Sequence, residues 1–141
     1  IADLNFPIVR LNNETFDGVY SRYVLEHISW RNVRTLLSES FRILRPGGIA
    51  VFLTANLLEQ CRALVETEEW SDALISTVFG DQNYRDGQWD SNSHHCGFSP
   101  KYAVKLFTDA GFHKVLIFPI ETNLGLTDMA IEAYKSKARI E

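Results

Sequence analysis

The order of apolar runs along the chain predicts an α/β fold whose mostly parallel sheet ends in an antiparallel hairpin. Three observations carry this expectation. A strand-length apolar run over 16–21 is followed by a helical period over 30–44 and then at once by a second apolar run over 49–54, which makes a strand, helix, strand unit. The second run, Ile49-Ala50-Val51-Phe52-Leu53-Thr54, is almost continuously apolar, as strands covered on both faces are. The last two strand-like runs, 112–120 and 129–135, are joined only by 121–128, too short for a parallel return.

Each element has its own local reason. Phe16-Asp17-Gly18-Val19-Tyr20-Ser21 follows the turn-like Asn12-Asn13-Glu14 and reads as a buried strand. Trp30, Val33, Leu36, Leu37, Phe41 and Leu44 recur at three- and four-residue spacing, the stripe of an amphipathic helix, with Ser29 as its expected N-cap. Arg45-Pro46-Gly47-Gly48 stops that helix, because proline disfavours the helical conformation in the residue before it and glycine accepts a left-handed one. Two helical pieces are expected over 57–66 and 70–79, and no sustained period follows over 80–97. Ser99-Pro100 then opens a further helix, a serine cap with proline at the first helical position, whose expected buried stripe is Tyr102, Ala103, Leu106, Phe107 and Ala110 before Gly111 ends it.

At 141 residues the chain is expected to be a single domain over 1–141. Its 45% hydrophobic and 23% charged content, without low-complexity runs, is that of an ordered globular chain. Fourteen basic residues against eighteen acidic ones form no basic stripe, which argues against a nucleic-acid partner and leaves a small molecule as the simpler one. No apolar run approaches the roughly 20 residues that span a bilayer, so no membrane partner is expected. The two cysteines, Cys61 and Cys96, do not make a disulfide framework, and a cytoplasmic location is the expectation.

Residues 92–100, Asn-Ser-His-His-Cys-Gly-Phe-Ser-Pro, concentrate chemistry-bearing side chains in the least regular part of the chain. A zinc site needs ligands that converge, commonly in pairs two to five residues apart. His94, His95 and Cys96 are consecutive, their side chains diverge, and no second pair completes a set, so no metal is expected. The irregular segment from Gly80 to Gly97 is about eighteen residues long, and a loop of that length inside a compact domain is usually functional or mobile.

A family likeness enters with four segments: Asp3-Leu4-Asn5-Phe6-Pro7, Thr15-Phe16-Asp17-Gly18-Val19-Tyr20-Ser21, Val24-Leu25-Glu26-His27-Ile28 and Phe41-Arg42-Ile43-Leu44-Arg45-Pro46-Gly47-Gly48. In order and spacing they closely resemble successive motifs of class I S-adenosylmethionine-dependent methyltransferases of the type 11 kind. The resemblance implies a Rossmann-like methyltransferase fold, S-adenosyl-L-methionine as cofactor, and methyl transfer to a small or carbohydrate-like acceptor. It begins at that family's third strand, and the 141 residues contain no Gly-x-Gly. A C-terminal portion lacking the N-terminal strands and the glycine-rich cofactor turn, inactive on its own, is therefore the expectation.

The same resemblance implies roles for particular residues. Asp3 would accept the adenine amine and the Leu4 amide would reach a ring nitrogen, while Ser21, Arg22 and Tyr23 would flank the methionine end of the cofactor. His27 would border the acceptor. Gly80-Asp81-Gln82 and His94-His95-Cys96-Gly97-Phe98 match an insertion, here 80–98, that covers the active site in a group of these enzymes. Within it His94 is the candidate general base, since imidazole titrates near neutrality, and Tyr84, Trp89, Asn92 and His95 would supply walls and hydrogen bonds. For Tyr23, His27 and His94 a purely structural role stays open. So does a non-catalytic alternative, a methyltransferase-like module that pairs with another subunit through an exposed sheet edge; self-association into a homo-oligomer is left open as well.

Overall fold

A computed structural model describes residues 4, 7–8, 10–82, 92–122 and 125–137. In chain order the elements are β1 (Phe16–Arg22), a 3₁₀ turn (Leu25–His27), α1 (Val33–Ile43), β2 (Leu44–Thr54), α2 (Leu57–Thr67), α3 (Asp72–Phe79), α4 (Pro100–Asp109), β3 (Lys114–Glu121) and β4 (Thr127–Tyr134). The strands form a sheet in the order β1-β2-β4-β3. β1 pairs parallel with β2, while β4 pairs antiparallel with β2 on one side and β3 on the other. Three strands thus share a direction and β4, the second half of the hairpin, is inserted between β2 and β3 against them.

The expected elements all form, with boundaries set by tertiary contacts, but β1, expected to be buried, is largely exposed because among the described residues it pairs only with β2. α1 begins at Val33 rather than near Trp30, because residues 29–32 fold into a turn in which Ser29 O accepts from Asn32 N and Val33 N. Trp30 is outside the helix and 61% exposed, with the Arg31 guanidinium stacked on it. Arg45–Gly48 does not separate helix from strand. β2 starts at Leu44, and the four residues bulge from it, since Phe16 pairs with Leu44 while Gly18 pairs with Ile49. Gly47 lies at φ +83°, and a Cβ on Gly48 would come within 2.9 Å of Arg45 O. The link between β3 and β4 is shorter than expected, which puts Asp128 within β4.

The core lies between the sheet and α1 and α4, around Leu25, Leu37, Leu44, Phe52, Phe98, Phe107, Phe112 and Ile131. Tyr102, expected in the stripe of α4, is instead exposed and stacks on Phe98. α2 contributes little to this core: Gln60 is its buried residue, while Leu58 and Val65 are exposed. Lys135, just past β4, is buried and donates to Phe41 O and Leu44 O at the end of α1 as well as to Glu14.

Candidate functional site

The antiparallel insertion of β4 brings its first residues beside the carboxyl end of β2, where Thr54 pairs with Met129. The carboxyl end of β1 lies next to the same place, Arg22 pairing with Leu53. Tyr23 leaves β1 in a left-handed conformation, φ +51°, its N–H donating to Leu53 O. A bulky residue enters that region at a cost of roughly 1–2 kcal/mol. Here the turn carries the Tyr23 hydroxyl to Asp128 Oδ2, 2.9 Å away.

The 3₁₀ turn places Glu26 in the interior, 2% exposed, where Glu26 Oε2 accepts from Thr54 Oγ1 at 2.9 Å. Its carbonyl accepts from His95 N and Cys96 N, which ties the histidine stretch to this turn. His27 Nδ1 donates to Ser93 O at 3.0 Å, and the His27 and His94 rings meet edge to face with centroids 4.9 Å apart. His94 N in turn donates to Phe79 O at the end of α3. One donor atom from each of Glu26, His27 and His94 lies within 4.8 Å of the others. Beside them is a cavity of about 150 Å³ lined among others by Glu26, Gln60, Val78, Phe79, His94 and Cys96.

Burial governs the charge states. It raises the Glu26 carboxyl above its ordinary range against the Thr54 hydrogen bond, and it raises Asp128 against the hydrogen bonds from Tyr23 and the Asn56 main chain. Burial lowers His94, with the neighbouring His27 adding to the effect, so the ring is neutral at neutral pH. Tyr23 is pushed up to about 12, by burial first and then by the hydrogen bond and charge of Asp128, and remains a donor. Burial also raises the Cys96 thiol, which keeps it protonated.

The residues expected from the sequence divide into three groups. Asp3, Tyr84 and Trp89, like all of residues 83–91 in the 80–98 insertion, lie outside the described residues. His27 and His94 come together, along with Tyr23, at one end of the sheet. Leu4 packs its side chain on the core; Ser21 is half-buried on β1; Arg22 is exposed with its guanidinium 5.6 Å from the Tyr23 ring centroid. Asn92 and His95 are exposed. Asp128, Thr54, Asn56 and Gln60 are additions that the sequence did not point to, because each reaches the site only through the sheet register or a distant helix.

Comparison with known proteins follows the same division. Residues 3–52 match the family model described as a methyltransferase domain. Among curated proteins none matches the chain in sequence. Solved structures do match in fold. An S-adenosylmethionine-dependent methyltransferase of Methanosarcina mazei superposes with a TM-score of 0.60 at 17% identity, over 96% of this chain and 66% of that one. One from Thermotoga maritima gives 0.62 at 14% identity, over 96% and 62%. The 1,6-didemethyltoxoflavin-N1-methyltransferase of Burkholderia thailandensis, with 1,6-didemethyltoxoflavin and S-adenosylhomocysteine bound, gives 0.63 at 17% identity, over 96% and 49%. The chain thus spans less than two-thirds of the length of each. The chain therefore has the fold of these S-adenosylmethionine-dependent methyltransferase structures, and its residues 3–52 match the methyltransferase-domain family model in sequence.

Proposed function

We propose that the chain serves an S-adenosylmethionine-dependent methyltransferase acting on a small-molecule acceptor, and that the 80–98 segment covers the acceptor site. The observation that carries this reading is the methyltransferase-domain match over 3–52 running into a polar cluster at the carboxyl ends of β1 and β2, the end at which open α/β sheets bind ligands.

The residues present fit the cofactor at that end. Asn56 Oδ1, buried just past β2, has no hydrogen-bond partner among the described residues, so an acceptor is available for a donor from outside the chain. Asp3, Leu4, Ser21, Arg22 and Tyr23 would hold the cofactor, which when bound supplies an activated methyl group. The work of the chain is then alignment of the acceptor, a contribution that can be large. His27 and His94 wall the acceptor side. His94, neutral and beside the cavity, takes the acceptor's proton when the acceptor is a hydroxyl or protonated amine. Tritiated S-adenosylmethionine offered with candidate acceptors to a protein in which a glycine-rich cofactor turn precedes this chain tests the reading, and failure of that protein to bind S-adenosylhomocysteine at all sinks it. His94→Ala is expected to lower kcat by about 10²–10⁴-fold while leaving S-adenosylhomocysteine affinity within a few-fold; unchanged turnover removes the base.

A second reading has one observation in its favour. Among the described residues β1 pairs only with β2, and on this edge strand Phe16 is 38% and Tyr20 67% exposed. An unpaired edge is a template for association. If the chain is a non-catalytic module, light scattering shows an assembly that a proline at Tyr20 abolishes, with no methyl transfer.

A further inference from the structure

We propose that Glu26, His27 and His94 form a binding site for a divalent transition-metal ion, of the zinc or cobalt class, beside the acceptor cavity. Two imidazoles and one carboxylate are a set that such ions accept while keeping coordination positions open for a further ligand. The convergence is already present, with one donor atom of each residue within 4.8 Å of the other two.

Three further features of the cluster are those of a built site. His27 Nδ1 donates to Ser93 O, which fixes the tautomer and leaves the Nε2 lone pair outward, while Thr54 Oγ1 holds one oxygen of Glu26. Such outer partners orient metal ligands. The two ligand-bearing segments, 67 or more residues apart in sequence, are clamped together by His95 N and Cys96 N on Glu26 O, while His94 N is fixed separately by Phe79 O at the end of α3. Last, Glu26 is a carboxylate 2% exposed that no Lys or Arg bridges among the described residues. A buried charge of that kind needs a cation or a proton, and the two neighbouring imidazoles are suited to share a cation with it. The consecutive trio His94, His95 and Cys96 misdirects a search for ligands along the sequence, since the set is completed across space by Glu26 and His27.

The inference extends the methyltransferase reading, in which the ion would bind an oxygen of the acceptor and His94 would be a ligand rather than a base; metal binding itself does not depend on that reading. The test is titration of the full chain with Co²⁺, read by visible ligand-field absorption, followed by displacement with Zn²⁺. One equivalent is expected to bind. His27→Gln, His94→Gln and Glu26→Gln are each expected to weaken it by at least about tenfold, the loss that even an outer-shell change causes. His95→Ala, in the same stretch, should leave it unchanged. Circular dichroism verifies folding, and if Glu26→Gln does not fold the two histidine variants decide. Absence of stoichiometric binding, binding that survives both histidine variants, or binding lost in His95→Ala overturns the site. Co²⁺ binding supports the site whether or not S-adenosylhomocysteine binds, and failure of a protein that carries the glycine-rich turn ahead of this chain to bind S-adenosylhomocysteine sinks the methyltransferase reading; S-adenosylhomocysteine binding without Co²⁺ binding does the opposite.

Discussion

Tyr23 shows how one residue joins distant parts of the chain. Its left-handed backbone is unfavourable by itself, yet it delivers the hydroxyl to Asp128, 105 residues away. Removing the hydroxyl leaves a half-buried carboxylate with one fewer donor, so Tyr23→Phe should destabilise by about 1–2 kcal/mol in urea unfolding. The effect has a pH signature. The folded state raises this phenol from 10.0 to about 12, so it holds the proton more tightly than the unfolded chain does. The associated stability is complete below the ordinary value and is lost as pH rises through about 12. Asp128 and Glu26 add to the raised value and Arg22 opposes it. In Tyr23→Phe this alkaline component should vanish from the difference between wild type and variant; a loss of stability above pH 10 that is equal in both proteins would assign it to other groups.

At the scale of elements, the end of α3 is what positions the histidine stretch. Gly80, at φ +81°, caps the helix and pairs with Ser93, and a Cβ there would come within 2.2 Å of Asn92 O and 2.9 Å of His94 N. Gly80→Ala meets both a disfavoured φ and a backbone collision, so a cost of about 1–3 kcal/mol is expected, with faster amide exchange at His94. Melting at the wild-type temperature would mean that the contact between α3 and residues 92–94 is looser than the geometry implies. Residues 94–96, which lie outside helix and strand, are held by their main chain: His94, His95 and Cys96 all donate their N–H groups to main-chain carbonyls of Phe79 and Glu26.

For the molecule as a whole, the closing contact is made by Lys135. It binds the end of β4 to the carboxyl end of α1, where unpaired carbonyls collect, and its ammonium lies 4.5 Å from the Phe41 ring centroid. Lys135→Met removes the donor and leaves Phe41 O and Leu44 O without it, for an expected loss of about 2–4 kcal/mol in thermal or urea unfolding. A neutral result would show that water replaces the ammonium. At the same scale the helices are unequal. α1 and α4 bury their stripes on the sheet, whereas α2 leaves Leu58 and Val65 exposed, so truncations of apolar residues in α2 should cost far less than Phe107→Ala, expected at about 3–5 kcal/mol.

The amino-acid sequence by itself determined the existence and order of the elements, since local periodicity and turn residues act over a few residues. Ser99-Pro100 opening α4, the continuous apolar run of β2 and the antiparallel hairpin of β3 and β4 were all legible in that way. It also singled out Tyr23, His27 and His94. The tertiary structure decided what those residues are near. Insertion of β4 between β2 and β3 places Asp128 opposite Tyr23, the bulge over Arg45–Gly48 sets the register of β1 on β2, and the fold of 92–96 onto the 3₁₀ turn joins His94 to Glu26 and His27. Contacts between residues tens of positions apart depend on strand order and register, and neither leaves a periodic trace in the chain. Desolvation, which sets the charge states of Glu26, Asp128 and His94, exists only once those contacts have closed.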